Sequence, residues 1–341
     1  MAVNYMINNA LKDLKVKESD VIKIYSDVQS LECKALIERV IAKNGFAPEH
    51  NYDYFISYAS KKMTPIFVYF GEDKGLFSIK WDDNSYQIIS EIMAQENDRC
   101  NLALLFVNYV FSNVDTKKVF VEFPLSLRKE LLKTIHSETK SNSENKFSKG
   151  NIIIGNTLYH LHTPIIELSR WDTELVGSDF SKLRKAKGRF FRNFKVEILK
   201  GDELSSIDLL DFEKLVSEWK RNRKCKDTAY YEDYLNFFRS KFSGSACHIA
   251  IKLNEVLCAV AAAWTIPNTN NENVYYAINL HNYSVSELGD FLTVLFLDEL
   301  KLRGFKYLDF GSSDEKLLAY KNKFKPVSQY EVVCFYIRKE K

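Results

Sequence analysis

The sequence lacks any run of about 18 apolar residues, the length that a helix needs to cross a bilayer, so it predicts no membrane span. It also lacks a Cys-x-x-Cys pair, and residues 1–20 lack the basic-then-apolar pattern of a secretory signal. Several cysteines lie among apolar residues, which is typical of reduced, buried thiols, and we therefore expect a cytoplasmic protein. The cysteines are Cys33, Cys100, Cys225, Cys247, Cys258 and Cys334.

The chain has little excess of charge of either sign, since it contains 48 lysine and arginine residues and 45 aspartate and glutamate residues. A polyanionic partner would therefore have to bind a local basic surface. Apolar residues make up 46% and charged residues 27% of the sequence, which is normal for a soluble globular protein. A length of 341 residues is too great for one ordinary core and indicates two domains.

A polar stretch at residues 136–150, HSETKSNSENKFSKG, divides the chain. It is nearly free of large apolar residues and cannot bury enough surface to order itself, so we interpret it as an interdomain linker. The predicted domains are residues 1–148 and residues 149–341.

The first half predicts an alternation of helices and strands around a short antiparallel meander. The helix predicted at 31–44 carries one apolar face and ends at Gly45, and polar turns separate the first three strands that follow it. The other predicted helices lie at 102–111 and 125–135, and the strands at 54–58, 65–70, 75–81 and 118–123.

Residues 274–311 predict a strand, a loop, a helix and a second strand. The first strand is rich in aromatic and β-branched residues, and from Leu288 onward apolar residues recur with the spacing of a helix that buries one face. Ser284 and Glu287 have the spacing of a capping box. Residues 102–123 show a similar order of apolar helix, polar break and short strand. We therefore interpret the chain as two tandem copies of one α/β unit.

The remaining elements of the second half surround this stretch. They are predicted as one strand or two strands broken at Pro164 over 152–168, as strands at 248–253, 256–264 and 330–338, and as helices at 205–221, 230–242 and 315–324. His160 and His162 share one face of the first of these strands. No third ligand follows at a recognisable spacing, so we interpret both histidines as structural and predict no metal site.

Gly289 lies in the first turn of the predicted helix, where no side chain covers the backbone. A helix N-terminus presents unpaired N–H groups and the positive end of the helix dipole, so this turn is suited to binding an anion. The alternative is that Gly289 only allows close packing of the helix on the sheet.

Two basic clusters flank the first long helix of the second half. Each alone is typical of a solvated face, but together they favour a polyanionic partner. The first cluster, which is interleaved with Phe190, Phe191 and Phe194, contains Lys182, Arg184, Lys185, Lys187, Arg189, Arg192 and Lys195. The second contains Lys220, Arg221, Arg223, Lys224 and Lys226.

The order of elements, with Ser286-Glu287-Leu288-Gly289 opening a helix after a strand, resembles the GNAT acyltransferase fold. The likeness is greatest to its tandem-domain branches, the C-terminal domain of phosphatidylglycerol lysyltransferases and the Fem-type aminoacyl transferases. Three segments carry it: the basic helix and strand at 180–198, the hairpin at 248–264, and residues 288–324, which end in Tyr-Lys-x-x-Phe. The resemblance covers most of residues 165–341, and residues 30–135 by element order only.

This resemblance implies a mixed α/β fold of two tandem GNAT-like domains, of which the first is degenerate and the second catalytic. It implies an acyl or aminoacyl transferase that holds an amine near an activated carbonyl and accepts its proton. The candidate catalytic residues are His281, Glu287, Tyr320 and Lys321. His281 or Glu287 would be the base, Tyr320 would protonate the leaving group, and Lys321 would stabilise negative charge. Asp309 is either an anchor for the substrate amine or, as we favour, a turn-stabilising carboxylate.

The donor-binding loop departs from the Gln/Arg-x-x-Gly-x-Gly/Ala pattern of acetyl-CoA-binding relatives. This chain has one glycine there, and Glu287 and Asp290 would repel a phosphate. The candidate donor-binding residues are Leu280, Ser286, Leu288, Gly289 and Asp290, and those for the substrate or a polyanion are Arg184, Lys185, Arg189 and Asn279.

Three functions remain open at this point. The first is an enzyme that uses aminoacyl-tRNA as its donor substrate, and the second is an acyl-CoA-dependent N-acyltransferase. The third is a non-catalytic binding module on the same fold, which the eroded glycine loop supports. For either enzyme we expect no tightly bound cofactor and an amine-bearing acceptor, which could be a small molecule, a lipid headgroup or a peptide.

Overall fold

The computed structural model describes residues 22–140, 152–222 and 231–340. The chain forms two compact units, one of Met1–Leu161 with Tyr330–Lys341 and one of His162–Gln329. The predicted boundary between residues 148 and 149 lies outside the described residues and stays a prediction. The last strand of the chain, which the sequence analysis places in the second domain, groups with the first unit.

The first unit is a mixed sheet with helices. Its elements are β1 (Lys23–Tyr25), α1 (Leu31–Asn44), α2 (Tyr52–Ile56), β2 (Met63–Gly71), β3 (Lys74–Trp81), β4 (Tyr86–Ile88), α3 (Glu96–Asn113), β5 (Lys118–Pro124) and α4 (Leu125–Lys140). Strands β1 to β4 pair antiparallel in chain order, and β5 then pairs parallel to β4. The final strand of the chain, β12 (Ser328–Lys339), lies antiparallel to β5.

The meander differs in part from the one that the sequence predicts. The strand predicted at 54–58 is instead helix α2, whose N-cap Asn51 accepts a hydrogen bond from the backbone N–H of Tyr54. The third strand of the meander is β4, which the sequence analysis missed. The aromatic residues of α2 are buried in the core of the unit, so tertiary packing overrides their strand propensity.

The second unit is built in the same way. Its elements are the end of β6 (Ile152–Glu167), α5 (Ser181–Asn193), β7 (Val196–Lys200), α6 (Leu209–Asn222), α7 (Tyr231–Arg239), β8 (Ser245–Leu253), β9 (Val256–Thr265), β10 (Asn273–His281), α8 (Leu288–Leu302), β11 (Tyr307–Asp309) and α9 (Glu315–Lys321). Strands β7 to β10 pair antiparallel, β11 pairs parallel to β10, and the end of β6 pairs antiparallel to β11.

Each unit contains a strand, a helix and a second strand that lies parallel to the first. These are β4–α3–β5 in the first unit and β10–α8–β11 in the second. The mixed α/β fold predicted from the sequence is therefore confirmed. Within the described residues, no helix is both long and apolar enough to cross a membrane.

Strands β10 and β11 separate soon after they pair. The parallel pairing joins Asn273–Tyr275 to Tyr307–Asp309 and then stops, whereas β10 continues beside β9 as far as His281. The register of β10 shifts between Tyr276 and Ile278, which marks a β-bulge at Ala277. The second half of β10, which pairs with β9 but no longer with β11, carries Asn279 and His281 near the start of α8.

Candidate active site

A pocket of about 240 Å³ lies at the start of α8. It brings together three of the predicted catalytic residues, His281, Glu287 and Tyr320. Four of the predicted donor-binding residues also line it, and so do two residues that the sequence analysis did not single out, Tyr283 and Lys323. The donor-binding residues in its lining are Ser286, Leu288, Gly289 and Asp290.

The chain enters α8 through Glu287, which adopts a left-handed backbone conformation with φ of 66°. Its side chain makes no capping hydrogen bond. The predicted capping box is therefore wrong, because Glu287 is itself the N-cap and Ser284 donates its backbone N–H to Asn282 Oδ1 at 2.9 Å. Glu287 lines the pocket from this left-handed turn.

Gly289 lies directly against the imidazole of His281. A Cβ atom at position 289 would stand 2.8 Å from both Cε1 and Nε2 of His281, closer than carbon atoms approach in real contacts. The ring of Tyr283 packs on the same imidazole, with 4.5 Å between the ring centroids. The absence of a side chain at Gly289 therefore leaves room for the imidazole of His281.

A chain of polar contacts joins His281 to Tyr320. His281 Nδ1 lies 3.3 Å from Asn279 Oδ1, and Asn279 Nδ2 donates to Thr293 Oγ1 at 3.3 Å. Thr293 Oγ1 lies in turn 3.1 Å from the hydroxyl of Tyr320. The sequence analysis missed Thr293, which is fully buried on α8 four residues after Gly289 and therefore on the same face of the helix.

Tyr320 is protonated at neutral pH. Burial raises the pKa of its hydroxyl above the ordinary value, and hydrogen bonds with Thr293 and Asn279 oppose this shift only in part. A protonated phenol at the edge of a pocket has the proton that a leaving group needs.

Two ion pairs balance the charges at the start of α8. Arg189 lies 3.1 Å from Glu287, and Lys323 Nζ lies 3.0 Å from both carboxylate oxygens of Asp290. The repulsion that these two acids were expected to exert on a phosphate is therefore offset by two cations. The acidic residues of the loop do not by themselves exclude an anionic donor.

Lys321 does not line this pocket. Its side chain is buried, and Nζ donates to the backbone carbonyl oxygens of Phe310 and, at 2.8 Å, Gly311. Asp309 Oδ1 accepts the backbone N–H of Gly311 at 2.9 Å, in agreement with its interpretation as a turn-stabilising residue. Lys321 thus fixes the turn after β11 instead of pointing into the pocket. Leu280 is fully buried and is not part of the pocket lining either.

Several cations of the first basic cluster have partners within the unit. Lys187 pairs with Asp298 at 2.8 Å, Lys195 pairs with Glu255 at 2.8 Å, and Arg189 pairs with Glu287. Arg184 donates to the backbone carbonyl oxygens of Leu175 and Gly177. Besides Arg184, the cations of α5 that lie exposed and outside the ion pairs of the described residues are Lys182, Lys185 and Arg192.

The second basic cluster is described only at Lys220 and Arg221, because Arg223, Lys224 and Lys226 fall outside the described residues. His160 lies 3.5 Å from Glu331. Over the described ranges, no group of three or more His, Cys, Asp or Glu side chains is placed to hold a metal ion.

Comparisons with solved structures identify the fold, whereas comparisons of the sequence found no match. No protein-family model matches the chain, and no curated protein matches it. Among solved structures, the C-terminal domain of a protein assigned as a lysylphosphatidylglycerol synthetase, from Agrobacterium fabrum, has a TM-score of 0.57 at 13% identity, with 90% of this chain and 92% of that chain covered.

Two further structures share the arrangement. FemX has a TM-score of 0.55 at 11% identity, over 87% of this chain and 95% of its own. A tandem GNAT protein from the clavulanic acid biosynthesis pathway has a TM-score of 0.52 at 10% identity, over 93% of this chain and 98% of its own. The chain therefore has the tandem GNAT fold that its sequence resembles.

Proposed function

We propose that the second unit transfers an acyl or aminoacyl group from an activated donor to an amine. The observation that carries this proposal is that a histidine and a protonated tyrosine meet at one pocket, joined through Asn279 and Thr293. The fold supports it, because it is shared with a protein assigned as a lysylphosphatidylglycerol synthetase, whose name denotes an enzyme that makes a lysyl-bearing lipid.

In the proposed reaction, His281 is the general base and Tyr320 the general acid. The amine nitrogen attacks the carbonyl carbon of the donor, and His281 accepts the proton that the nitrogen loses. The bond from the carbonyl carbon to the leaving oxygen or sulfur then breaks, and the leaving atom takes the phenolic proton of Tyr320. A solvent proton then restores Tyr320, and His281 releases its proton to solvent.

Variants at the two groups test this mechanism. Hydroxylamine can serve as a general amine acceptor, with either a mixture of radiolabelled aminoacyl-tRNAs or acetyl-CoA as donor and the uncatalysed rate subtracted. We expect His281→Ala and Tyr320→Phe each to lower the rate by about a hundredfold or more, as is usual for loss of an acid or base. Full turnover in both variants would refute the assignment, and no turnover of the unaltered protein with either donor would favour a binding module.

We propose aminoacyl-tRNA as the donor and keep acyl-CoA as the alternative. The exposed cations Lys182, Lys185 and Arg192 on α5 support a nucleic-acid donor, because they would neutralise phosphates along a backbone. The first turn of α8, whose residues line the pocket, supports acyl-CoA, because a helix N-terminus can hold a phosphate group.

Salt dependence separates the two donors. Contacts with several RNA phosphates make log affinity fall steeply with log salt, by a slope of about 0.7 to 0.9 per phosphate. Replacing Lys182, Lys185 and Arg192 by alanine should flatten this slope for charged tRNA and leave binding of coenzyme A nearly unchanged. Lys61, Lys62 and Lys117, which are exposed on the first unit, give a control with the same change of charge. Micromolar binding of coenzyme A without binding of tRNA at low salt would reverse our order of donors.

A further inference from the structure

In the contacts that join His281 to Tyr320, the amide of Asn279 determines which atom donates and which accepts. Asn279 is an amide, so its oxygen can only accept and its nitrogen can only donate. Because Oδ1 is the atom that lies 3.3 Å from His281, the proton in that contact belongs to Nδ1 of the imidazole. The neutral imidazole then carries its lone pair on Nε2, the nitrogen that a general base needs.

The same amide orders the hydroxyl groups on its other side. Asn279 Nδ2 donates to Thr293 Oγ1, so Thr293 accepts in this contact. Thr293 Oγ1 also lies 3.1 Å from the hydroxyl of Tyr320, and the buried hydroxyl of Tyr276 is a second neighbour of the same threonine. Because its oxygen already accepts from Asn279, we assign Thr293 as the donor to Tyr320, which leaves the phenolic proton of Tyr320 for an acceptor in the pocket that Tyr320 lines.

We infer that Asn279 and Thr293 are positioning residues that set the tautomer of His281 and the direction of the Tyr320 hydroxyl. This inference rests on the proposed roles of His281 and Tyr320. The chain runs from the Nδ1–H of His281 through Asn279 and Thr293 to the oxygen of Tyr320. Nε2 of His281 therefore carries a lone pair, and the hydroxyl of Tyr320 carries a proton that it can donate. An acyl transfer to an amine requires both.

Thr293 is central to this arrangement although it does not touch His281. Its oxygen holds the amide nitrogen of Asn279, and this contact keeps the amide oxygen turned towards the imidazole. Without the threonine hydroxyl, the amide can rotate by half a turn and present its nitrogen to Nδ1 instead. His281 would then carry its proton on Nε2, and the lone pair would be turned away from the substrate.

The tautomer can be measured without any substrate. Nitrogen-15 NMR of histidine-labelled protein distinguishes a protonated from an unprotonated ring nitrogen, and the signal of His281 is assigned by its loss in His281→Gln. We expect the neutral ring of the unaltered protein to carry its proton on Nδ1. A neutral ring protonated on Nε2 would overturn the inference, and this measurement needs no variant at Asn279 or Thr293.

Three variants test the role of Thr293. We expect Thr293→Val, which removes the hydroxyl and keeps the shape, to move the proton of His281 to Nε2, and Thr293→Ser to keep it on Nδ1. Thr163→Val is the matched control, because Thr163 is also buried and bonds a hydroxyl, that of Ser312 at 3.1 Å. A Thr293→Val protein that keeps the proton on Nδ1 would refute the role of Thr293.

Asn279→Asp gives a readout in the pH–rate profile. A carboxylate accepts from Nδ1 and stabilises the protonated imidazole, so the acidic limb should move to higher pH while the rate falls by about tenfold to a hundredfold. The other charged or titratable groups around the pocket, which the variant leaves in place, are Tyr283, Glu287, Asp290, Tyr320, Lys323 and Arg189. An unmoved limb would contradict the inference.

The inference and the proposed function can fail separately. If His281→Ala keeps full turnover but the tautomer depends on Thr293, the proposed catalysis is wrong and the hydrogen-bond chain is right. If His281→Ala and Tyr320→Phe lose activity but Thr293→Val leaves both the tautomer and the pH profile unchanged, the positioning role alone is wrong.

Discussion

At the scale of single residues, the contact between Gly289 and His281 decides what a methyl group at position 289 would do. Gly289 has a helical position without a positive φ, so alanine fits the backbone and would favour the helix by about 1 kcal/mol. The added Cβ would nevertheless overlap with the imidazole of His281. We therefore expect Gly289→Ala to remain folded, to displace His281 and to lose about a hundredfold in transfer rate.

Thermal unfolding and turnover, measured on the same preparation, check this prediction. Gly188→Ala is the control, because Gly188 lies inside helix α5 and a Cβ there meets only the end of the Arg192 side chain at 3.5 Å. This control should gain stability and keep its turnover. Full activity in Gly289→Ala would show that the imidazole of His281 does not need its observed position.

His50 is a buried histidine of the first unit that the structure holds neutral. Its Nδ1 accepts the backbone N–H groups of Phe46 and Ala47 at 3.0 and 3.1 Å, and its Nε2 lies 2.9 Å from the carbonyl oxygen of Glu91. Burial lowers the pKa of His50 to about 4. A proton on Nδ1 would break both accepted hydrogen bonds, so the folded state resists protonation.

The stability of the protein should therefore depend on pH through His50. The unfolded chain binds a proton to this histidine below about pH 6.5 and the folded chain only below about pH 4, so its contribution is complete above pH 6.5 and is lost as the pH falls. The loss amounts to about 3 kcal/mol. Urea unfolding between pH 4 and 7 should show this difference between the unaltered protein and His50→Gln.

The comparison with His50→Gln also removes the contribution of a neighbouring acid. Burial raises the pKa of Glu91 to about 7, so this carboxyl stabilises the fold at low pH and loses that contribution as the pH rises. Glu91 is present in both proteins, and its effect cancels in their difference. An identical pH dependence of the two proteins would contradict the neutral state of His50.

Single residues also mark the limit of what the sequence could predict. That His281, Glu287 and Tyr320 lie near one another could be predicted because the resemblance pointed to strand ends and to the Tyr-Lys-x-x-Phe segment. Nothing in the sequence indicated a role for Thr293. A threonine inside an apolar helix is common, and its partners, Asn279 on β10 and Tyr320 on α9, are distant in sequence. The ion pairs of the pocket could not be predicted for the same reason.

At the scale of elements, Lys321 joins helix α9 to the turn after β11. Its ammonium group donates to the carbonyl oxygens of Phe310 and Gly311 from a buried position. Lys321→Met would remove this donor from both carbonyl oxygens, of which that of Gly311 also accepts from the hydroxyl of Ser313 at 3.2 Å, and we expect the free energy of unfolding to fall by about 1 to 3 kcal/mol. Denaturant unfolding measures it, with Lys316→Met, an exposed change in the same helix, as a control within about 0.5 kcal/mol. Equal stability of both variants would refute this role.

Elements with a clear period were predicted well, and short ones were not. Helix α1 has the bounds that its apolar face and Gly45 indicate. Helix α2 and strand β4 have five and three residues, too few to show a period of 3.6 or 2. Helix α3 starts at Glu96 instead of residue 102 because its first turn is polar and adds nothing to the apolar pattern.

At the scale of the whole molecule, the first unit is not one continuous stretch of the chain. The first unit takes its strand β12 from the end of the chain, and β12 pairs with β5 from Val332–Pro124 to Arg338–Lys118. Periodicity identified this strand, but it could not assign a partner that lies some two hundred residues earlier. A β5 without β12 would expose a row of unpaired backbone groups at a sheet edge.

This origin of β12 predicts how the protein behaves when the chain is cut. A protease site placed between residues 141 and 151 would yield a fragment that contains β5 and a second fragment that contains β12. Because the two strands share seven register positions, we expect the cut fragments to elute together in size-exclusion chromatography and to separate only in denaturant. Residues 1–148 expressed alone should aggregate or stay unfolded, whereas co-expression with residues 149–341 should give a folded complex. Two separate folded fragments would show that the first unit does not need its last strand.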